Sequence, residues 1–111
     1  MEKKIANIFA DLPDADPEEV FETLLECNGL RIERITSAGQ TTEPDQWYDQ
    51  GWDEWVLLVS GSAALLFADE EQPRELRPGD YLFIPAGCRH RVIRTDSREK
   101  TVWLAVHLTA T

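Results

Sequence analysis

"GDYLFIPAGCRH", residues 79–90, is the stretch that decides the fold. Gly79 tolerates the positive φ of a tight turn, and an apolar segment follows at residues 81–84. Pro85 ends that segment, because proline cannot donate a hydrogen bond to a β-ladder. His90 then opens the next apolar segment. So short a strand between two turns indicates antiparallel β-structure with a histidine at the start of a strand.

The same pattern continues on both sides of this stretch. Leu30 and Ile32 alternate with charged residues, which is the spacing of a strand with one buried face. Glycine, proline and acidic residues separate the later apolar segments, and no helical pattern lies between them. Strands of this kind form an antiparallel sandwich or small barrel, such as a jelly roll. The predicted strands after residue 50 are 54–60, 63–68, 74–76, 81–85, 90–94 and 101–108.

The segment before Leu30 predicts a helix. Asp16 is a suitable N-cap, Pro17 fits the first helical position, and Asn28-Gly29 is a typical helix end. Four apolar residues at helical spacing predict a stripe that packs against the outside of the sheet, namely Val20, Phe21, Leu24 and Leu25. We therefore expect residues 1–29 to form an N-terminal extension with this helix, and residues 30–111 to form the barrel domain.

Composition excludes several classes of function. The chain has 111 residues, enough for one core, with 21 acidic and 11 basic residues and a net charge of -10. This charge repels phosphate backbones, so no nucleic-acid partner is expected. No apolar run is long enough for a signal peptide or a membrane span, which predicts a cytoplasmic protein without a membrane partner. Cys27 and Cys88 are expected to be free thiols.

Two sequence motifs carry a family resemblance. In "DQGWDEWVLLVSG", residues 49–61, Glu54 is followed by six residues and then Gly61. Residues 79–90 have the frame of Gly79, Pro85, Gly87 and His90. Together these stretches resemble the two motifs of the cupin superfamily over residues 30–109. The resemblance implies an all-β, double-stranded jelly-roll (cupin) barrel and a small single-domain member of the superfamily.

The first motif departs from the family pattern. Metal-binding cupins place two histidines before the glutamate, and the second motif supplies a third. The corresponding positions are Trp47 and Asp49, or Tyr48 and Gln50 at the shorter spacing that some members use. None of these is histidine, so the first motif is degenerate and the usual three-histidine metal site is not implied. The family's usual asparagine corresponds to Arg94.

One interpretation keeps a metal in the altered site. Asp49, Glu54 and His90 would supply two oxygen ligands and one nitrogen ligand to a divalent Fe, Mn or Zn ion. Strict alternation puts Asp49 and Glu54 on opposite faces of a strand. A β-bulge at Gly51 would bring them together.

The other interpretation keeps the pocket without a metal. Glu54 and His90 would face each other across the barrel as a catalytic acid and base acting on a small polar metabolite. The ligand-binding residues would be Tyr48, Gln50 and Trp52 at the entrance, with Arg94 on the face of His90. The reaction, and whether the protein is an enzyme at all, stay open.

The structural alternative is a metal-free structural or interaction domain with no catalytic activity. Trp52 and Trp55 would then be core or interface residues. His107, a lone histidine near the chain end, is expected to be exposed or at an interface. Small cupins commonly pair, so we expect a homodimer with Trp55 and residues 57–59 at its interface.

Overall fold

The computed structural model describes residues 3–109. These residues contain no helix. Their strands are, in chain order, β1 Val20–Cys27, β2 Leu30–Ser37, β3 Asp53–Ser60, β4 Ala63–Phe67, β5 Arg74–Leu76, β6 Tyr81–Ile84, β7 His90–Thr95 and β8 Thr101–Leu108. Within the described residues no helix is long and apolar enough to cross a membrane.

The strands form two antiparallel sheets that face each other. One sheet has the order β1-β2-β8-β3-β6 and the other the order β5-β4-β7. The all-β class is confirmed, and strands β3 to β8 match the segments predicted after residue 50 to within one residue at each end. The core between the sheets consists of buried side chains from both: Val56, Leu58, Ala63, Leu65, Phe67, Leu76, Ile84, Trp103 and Ala105.

The predicted N-terminal helix is wrong, because β1 pairs with β2 over its whole length. Asn28 and Gly29 have φ values of 48° and 76°. Positive φ at both central residues is what a type I′ hairpin turn requires, so Asn28-Gly29 joins two strands and does not end a helix. The domain boundary predicted after residue 29 remains a prediction.

The apolar residues of β1 do not form one stripe, because the adjacent Val20 and Phe21 point to opposite faces of the strand and a β-bulge follows them. The β1–β2 register shifts between Thr23 and Leu25, so Leu24 is the extra residue. The expected apolar stripe is not buried, since the side chains of Phe21, Leu24 and Leu25 are each about half exposed. Pairing with β2 therefore decides the conformation of this segment.

Arg34 on β2 holds the N-terminal segment against the sheet. Its side chain is buried, and its Nε and Nη2 donate to the two carboxylate oxygens of Glu22 at 2.9 and 3.0 Å. Its Nη1 donates to the carbonyl oxygens of Ile8 at 3.0 Å and Ala10 at 2.7 Å. One guanidinium group thus ties β1, β2 and the preceding segment together.

The outer face of the five-stranded sheet carries exposed aromatic side chains. Trp55 on β3 contacts Tyr81 on β6, with ring centroids 5.4 Å apart. Tyr81 and Phe83 are 66% and 52% exposed. The predicted pairing of two copies through Trp55 and residues 57–59 stays a prediction.

Candidate functional site

A cavity of about 110 Å³ lies between the two sheets. This is several times the roughly 10–15 Å³ that one water molecule needs, so a small ligand has room. Its deep residues are buried, while Phe21 and Tyr48 are partly exposed and mark the opening. The lining residues are Glu19, Phe21, Glu33, Ile35, Tyr48, Gln50, Glu54, Val56, Leu65, Ile84, His90, Val92, Trp103 and His107.

His90 lines the cavity and is held by the backbone. The histidine is only 5% exposed. Its Nδ1 lies 2.9 Å from the carbonyl oxygen of Cys88. A carbonyl only accepts, so Nδ1 carries a hydrogen, and in the neutral form of the ring the lone pair is on Nε2. Among residues 3–109, Nε2 has no hydrogen-bond partner. The ring lies between Tyr48 and Phe67, with centroid distances of 5.5 and 5.9 Å.

The segment before β3 closes the cavity beside His90. Tyr48 and His90 form an isolated antiparallel bridge. The amide of Tyr48 donates to the His90 carbonyl at 2.8 Å, and the amide of Gly87 donates to the Gln50 carbonyl at 2.8 Å. These backbone bonds place Tyr48 and Gln50 at the cavity, as the sequence predicts for ligand-binding residues.

Glu54 lines the same cavity from β3 and is 7% exposed. Its Oε1 accepts a hydrogen bond from Gln50 Nε2 at 2.7 Å. Its Oε2 lies 4.0 Å from His107 Nε2, which is beyond hydrogen-bond distance. The cavity therefore brings Glu54 and His90 together without pairing them to each other.

His107 is a cavity residue that the sequence analysis placed at the surface. It is buried, and its Nδ1 accepts the indole N–H of Trp52 at 2.8 Å. An indole nitrogen can only donate, so Nε2 carries the ring hydrogen and donates to Glu33 Oε1 at 2.8 Å. Trp103 and Ala105 on the same face are also buried. This face of β8 therefore points inward.

Arg94 does not reach the cavity, which corrects the prediction that it shares the face of His90. The β4–β7 register shifts so that Ala64 pairs with Arg94 and Leu65 with Val92. Ile93 is therefore the extra residue of a β-bulge, and the bulge turns Arg94 outward. There its Nη2 pairs with Glu75 at 2.6 Å.

Trp52 and Asp49 also lie outside the cavity lining. Trp52, predicted at the entrance, instead donates its indole N–H to His107, which is a lining residue. Asp49 is exposed, and Gly51 does not bring it to Glu54. Within residues 3–109, no three side chains of His, Cys, Asp or Glu are grouped closely enough to hold a metal ion. The donor set of Asp49, Glu54 and His90 is thus not assembled, and the residues present do not fit a metal.

The other aromatic and acidic residues of the first motif have structural contacts. The Trp47 ring lies under the guanidinium groups of Arg89 and Arg91, 5.4 and 5.1 Å from its centroid. Asp53 accepts the backbone N–H of Ala86 at 2.9 Å, which fixes the loop before His90. Trp47 and Asp53 therefore support the site from outside the cavity lining.

The phenol of Tyr48 reports the electrostatics of the opening. Burial raises the pKa of Tyr48 above its ordinary value of 10.0, and the charge of Glu19 raises it further. A hydrogen bond with Thr42 lowers this pKa, and the charge of Glu54 raises it again. The phenol is therefore surrounded by negative charge.

We expect stability to depend on Tyr48 in alkaline solution. A pKa raised in the folded state stabilises the fold below the unfolded value of about 10, and this contribution is lost as pH rises through the folded value. Between about pH 9 and pH 11 the melting temperature of the wild type should fall more steeply than that of Tyr48→Phe. Parallel loss in the two proteins would contradict a raised pKa.

Comparison with known proteins agrees with the resemblance seen in the sequence. Residues 34–107 match the protein family described as "Cupin domain". No curated protein matches the chain significantly. A crystal structure from Ralstonia eutropha JMP134, provisionally assigned as a mannose-6-phosphate isomerase, is 55% identical. That match covers 97% of this chain and 100% of the other, with a TM-score of 0.92.

More distant structures share the fold. A cupin superfamily protein from Desulfitobacterium hafniense DCB-2 is 18% identical, with a TM-score of 0.76 and coverage of 97% of this chain and 94% of that one. An RmlC-like cupin with a double-stranded β-helix fold from Methanocaldococcus jannaschii is 17% identical. Its TM-score is 0.72, with coverage of 98% and 93%.

Proposed function

The chain belongs to the cupin family, and we propose that its cavity binds a small polar metabolite on which Glu54 and His90 act as acid and base. The observation that carries this proposal is the state of His90. Its Nδ1–H is bound to the Cys88 carbonyl, and the lone pair of Nε2 is left without a partner among residues 3–109. This nitrogen belongs to a side chain that lines the cavity, so it is available to a bound molecule.

Glu54 supplies the second proton-transfer group. Its carboxylate is 7% exposed and keeps Oε2 free of hydrogen bonds within the described chain. Gln50 fixes the orientation of this carboxylate through Oε1. Two titratable groups on separate strands around one cavity can hold a proton on opposite sides of a bound molecule.

The assignment of the Ralstonia protein suggests one reaction class. Interconversion of an aldose and a ketose moves a proton between neighbouring carbons, and Glu54 with His90 offers the acid and base for such a step. A phosphate group would need cationic partners, yet the described lining of this cavity includes no arginine or lysine. We therefore propose the proton-transfer chemistry and not a sugar phosphate as the substrate.

No step of the proposed chemistry passes through a metal ion. The predicted ligand Asp49 is exposed, and the described residues form no group of three donors. The metal-free structural or interaction domain remains the second candidate. It is favoured by the bonds that Trp52, Asp53 and His107 make to other protein groups.

A thermal-shift screen tests the proposal. Protein treated with a chelator is mixed with a panel of small aldoses, ketoses, polyols and amines. A ligand at about 100 times its Kd should raise the melting temperature by an amount that corresponds to about 2.7 kcal/mol. The shift should disappear in His90→Ala and in Glu54→Gln.

Arg94→Ala is the matched control, because Arg94 lies on the same strand as His90 but outside the cavity. It should keep the shift of the wild type. For any aldose or ketose that binds, exchange in D₂O of the hydrogen on the carbon next to the carbonyl group should occur with the wild type and fall about 10²- to 10⁴-fold in Glu54→Gln. Equal shifts in all four proteins would remove the cavity from the function.

A further inference from the structure

We propose that the cavity is selective for a small organic ammonium ion and rejects phosphate esters and other anions. This inference rests on the proposed function, since it names the charge of the ligand that Glu54 and His90 receive. It stands on three features of the cavity: its charges, its hydrogen-bonding groups and its aromatic walls.

The charges of the cavity are acidic. Three carboxyl side chains line it, those of Glu19, Glu33 and Glu54. Arg31 approaches one of them from outside the lining, with its Nε 3.7 Å from Glu33 Oε2. His107 is neutral, because its Nδ1 accepts from Trp52 while its Nε2 donates to Glu33. The described lining includes no arginine or lysine to balance the three carboxylates, so a ligand that carries positive charge fits it.

The groups left open in the cavity are acceptors. His90 is nine-tenths buried and its Nε2 offers a lone pair. Glu54 Oε2 takes no hydrogen bond, because the nearby Nε2 of His107 donates to Glu33. Glu19 uses Oε2 for the Ser37 hydroxyl. An alkylammonium group has three donors and no acceptor, so it matches this set, whereas a phosphate group adds only acceptors.

Aromatic side chains complete the recognition. Phe21 and Tyr48 line the opening and Trp103 lines the interior. Aromatic faces attract cations, and the attraction grows when the site is shielded from water. Burial is the main cause of the raised pKa of Tyr48, and the charges of Glu19 and Glu54 raise this pKa further. The net charge of -10 favours the approach of cations to the molecule.

A series of ligands with one carbon skeleton tests the inference. The probes are 3-aminopropane-1,2-diol, glycerol, glycerate and glycerol 3-phosphate, which differ in charge at one end. Titration calorimetry or ligand-observed NMR gives the four affinities. The amine should bind about 10- to 100-fold more tightly than glycerol, since a hydrogen bond to a charged group is worth about 1.5–3 kcal/mol. The two anions should bind more weakly than glycerol.

Variants that each neutralise one carboxylate identify the residues that cause the preference for the amine. Glu19→Gln and Glu54→Gln should each reduce the ratio of amine to glycerol affinity. Glu71→Gln, in the exposed turn between β4 and β5, changes the net charge equally and should leave this ratio unchanged.

Two failures can be told apart. If glycerol, glycerate or glycerol 3-phosphate binds at least as tightly as the amine and the binding is lost in His90→Ala, the charge selectivity is wrong and the pocket function stands. If His90→Ala binds every probe as the wild type does, or no probe binds the wild type, both proposals fail for this class of ligand.

Discussion

Gly61→Ala should lower the melting temperature by roughly 10–20 °C, the largest effect that we expect from a change of one methyl group. Gly61 joins β3 to β4 and has a φ of 85°. A Cβ atom there would lie 2.5 Å from Thr101 Oγ1, 2.7 Å from Thr101 Cα and 2.9 Å from the Lys100 carbonyl oxygen. Because two of these atoms are backbone, they cannot move aside. Strain and clash together should cost about 3 kcal/mol.

Alanine variants of two other glycines separate the steric clash from the backbone strain. Gly79 has a φ of 96° with open space around its Cβ position, so Gly79→Ala should lose only the conformational part, about 1–2 kcal/mol. Gly51 has open space and no positive φ, so Gly51→Ala should be nearly neutral. Thermal unfolding of the three variants gives the order. If Gly61→Ala were no worse than Gly79→Ala, the close approach to β8 would be contradicted.

Arg34→Ala should destabilise the protein by about 2–3 kcal/mol and release the N-terminal segment. Removing one partner of a buried ion pair typically costs about 3–5 kcal/mol, and the partial exposure of Glu22 reduces this value. The carbonyl oxygens of Ile8 and Ala10 lose their donor at the same time. Urea unfolding measures the first effect, and faster amide exchange around residues 7–10 measures the second.

Arg94→Ala is the control for this change. Arg94 is also paired with a glutamate, but both side chains are about half exposed, so its loss should cost at most about 0.5 kcal/mol. Arg34→Lys keeps the charge without the planar fork and should recover only part of the stability. Equal stability of Arg34→Ala and Arg94→Ala would mean that the buried guanidinium does not hold the segment.

The strands from β3 onward could be predicted because each has local evidence. Alternation or short apolar runs mark the strands, and turn residues such as Gly61 and Pro85 mark their ends. Local evidence failed in β1, where four apolar residues at helical spacing lie in a strand with a bulge at Leu24. Asn28-Gly29 is a strong hairpin signal that also resembles a helix end, so only the pairing with β2 resolves it.

The residues of the candidate site could also be predicted only in part. Glu54 and His90 could be placed in the cavity because the family motifs fix their positions at the starts of β3 and β7. Arg94 could not, because one extra residue at Ile93 reverses the face of everything after it. His107 was missed because both faces of β8 carry apolar residues, so periodicity alone does not say which face points inward.

The hydrogen bond from His90 Nδ1 to the carbonyl oxygen of Cys88 gives the imidazole a main-chain anchor. Many histidines in active sites are oriented by a carboxylate, which brings its own titration. Here the orienting atom is an amide oxygen that does not ionise, and it is independent of the side chain at position 88. The cysteine can therefore be exchanged for another small residue without changing which ring nitrogen is held by the main chain.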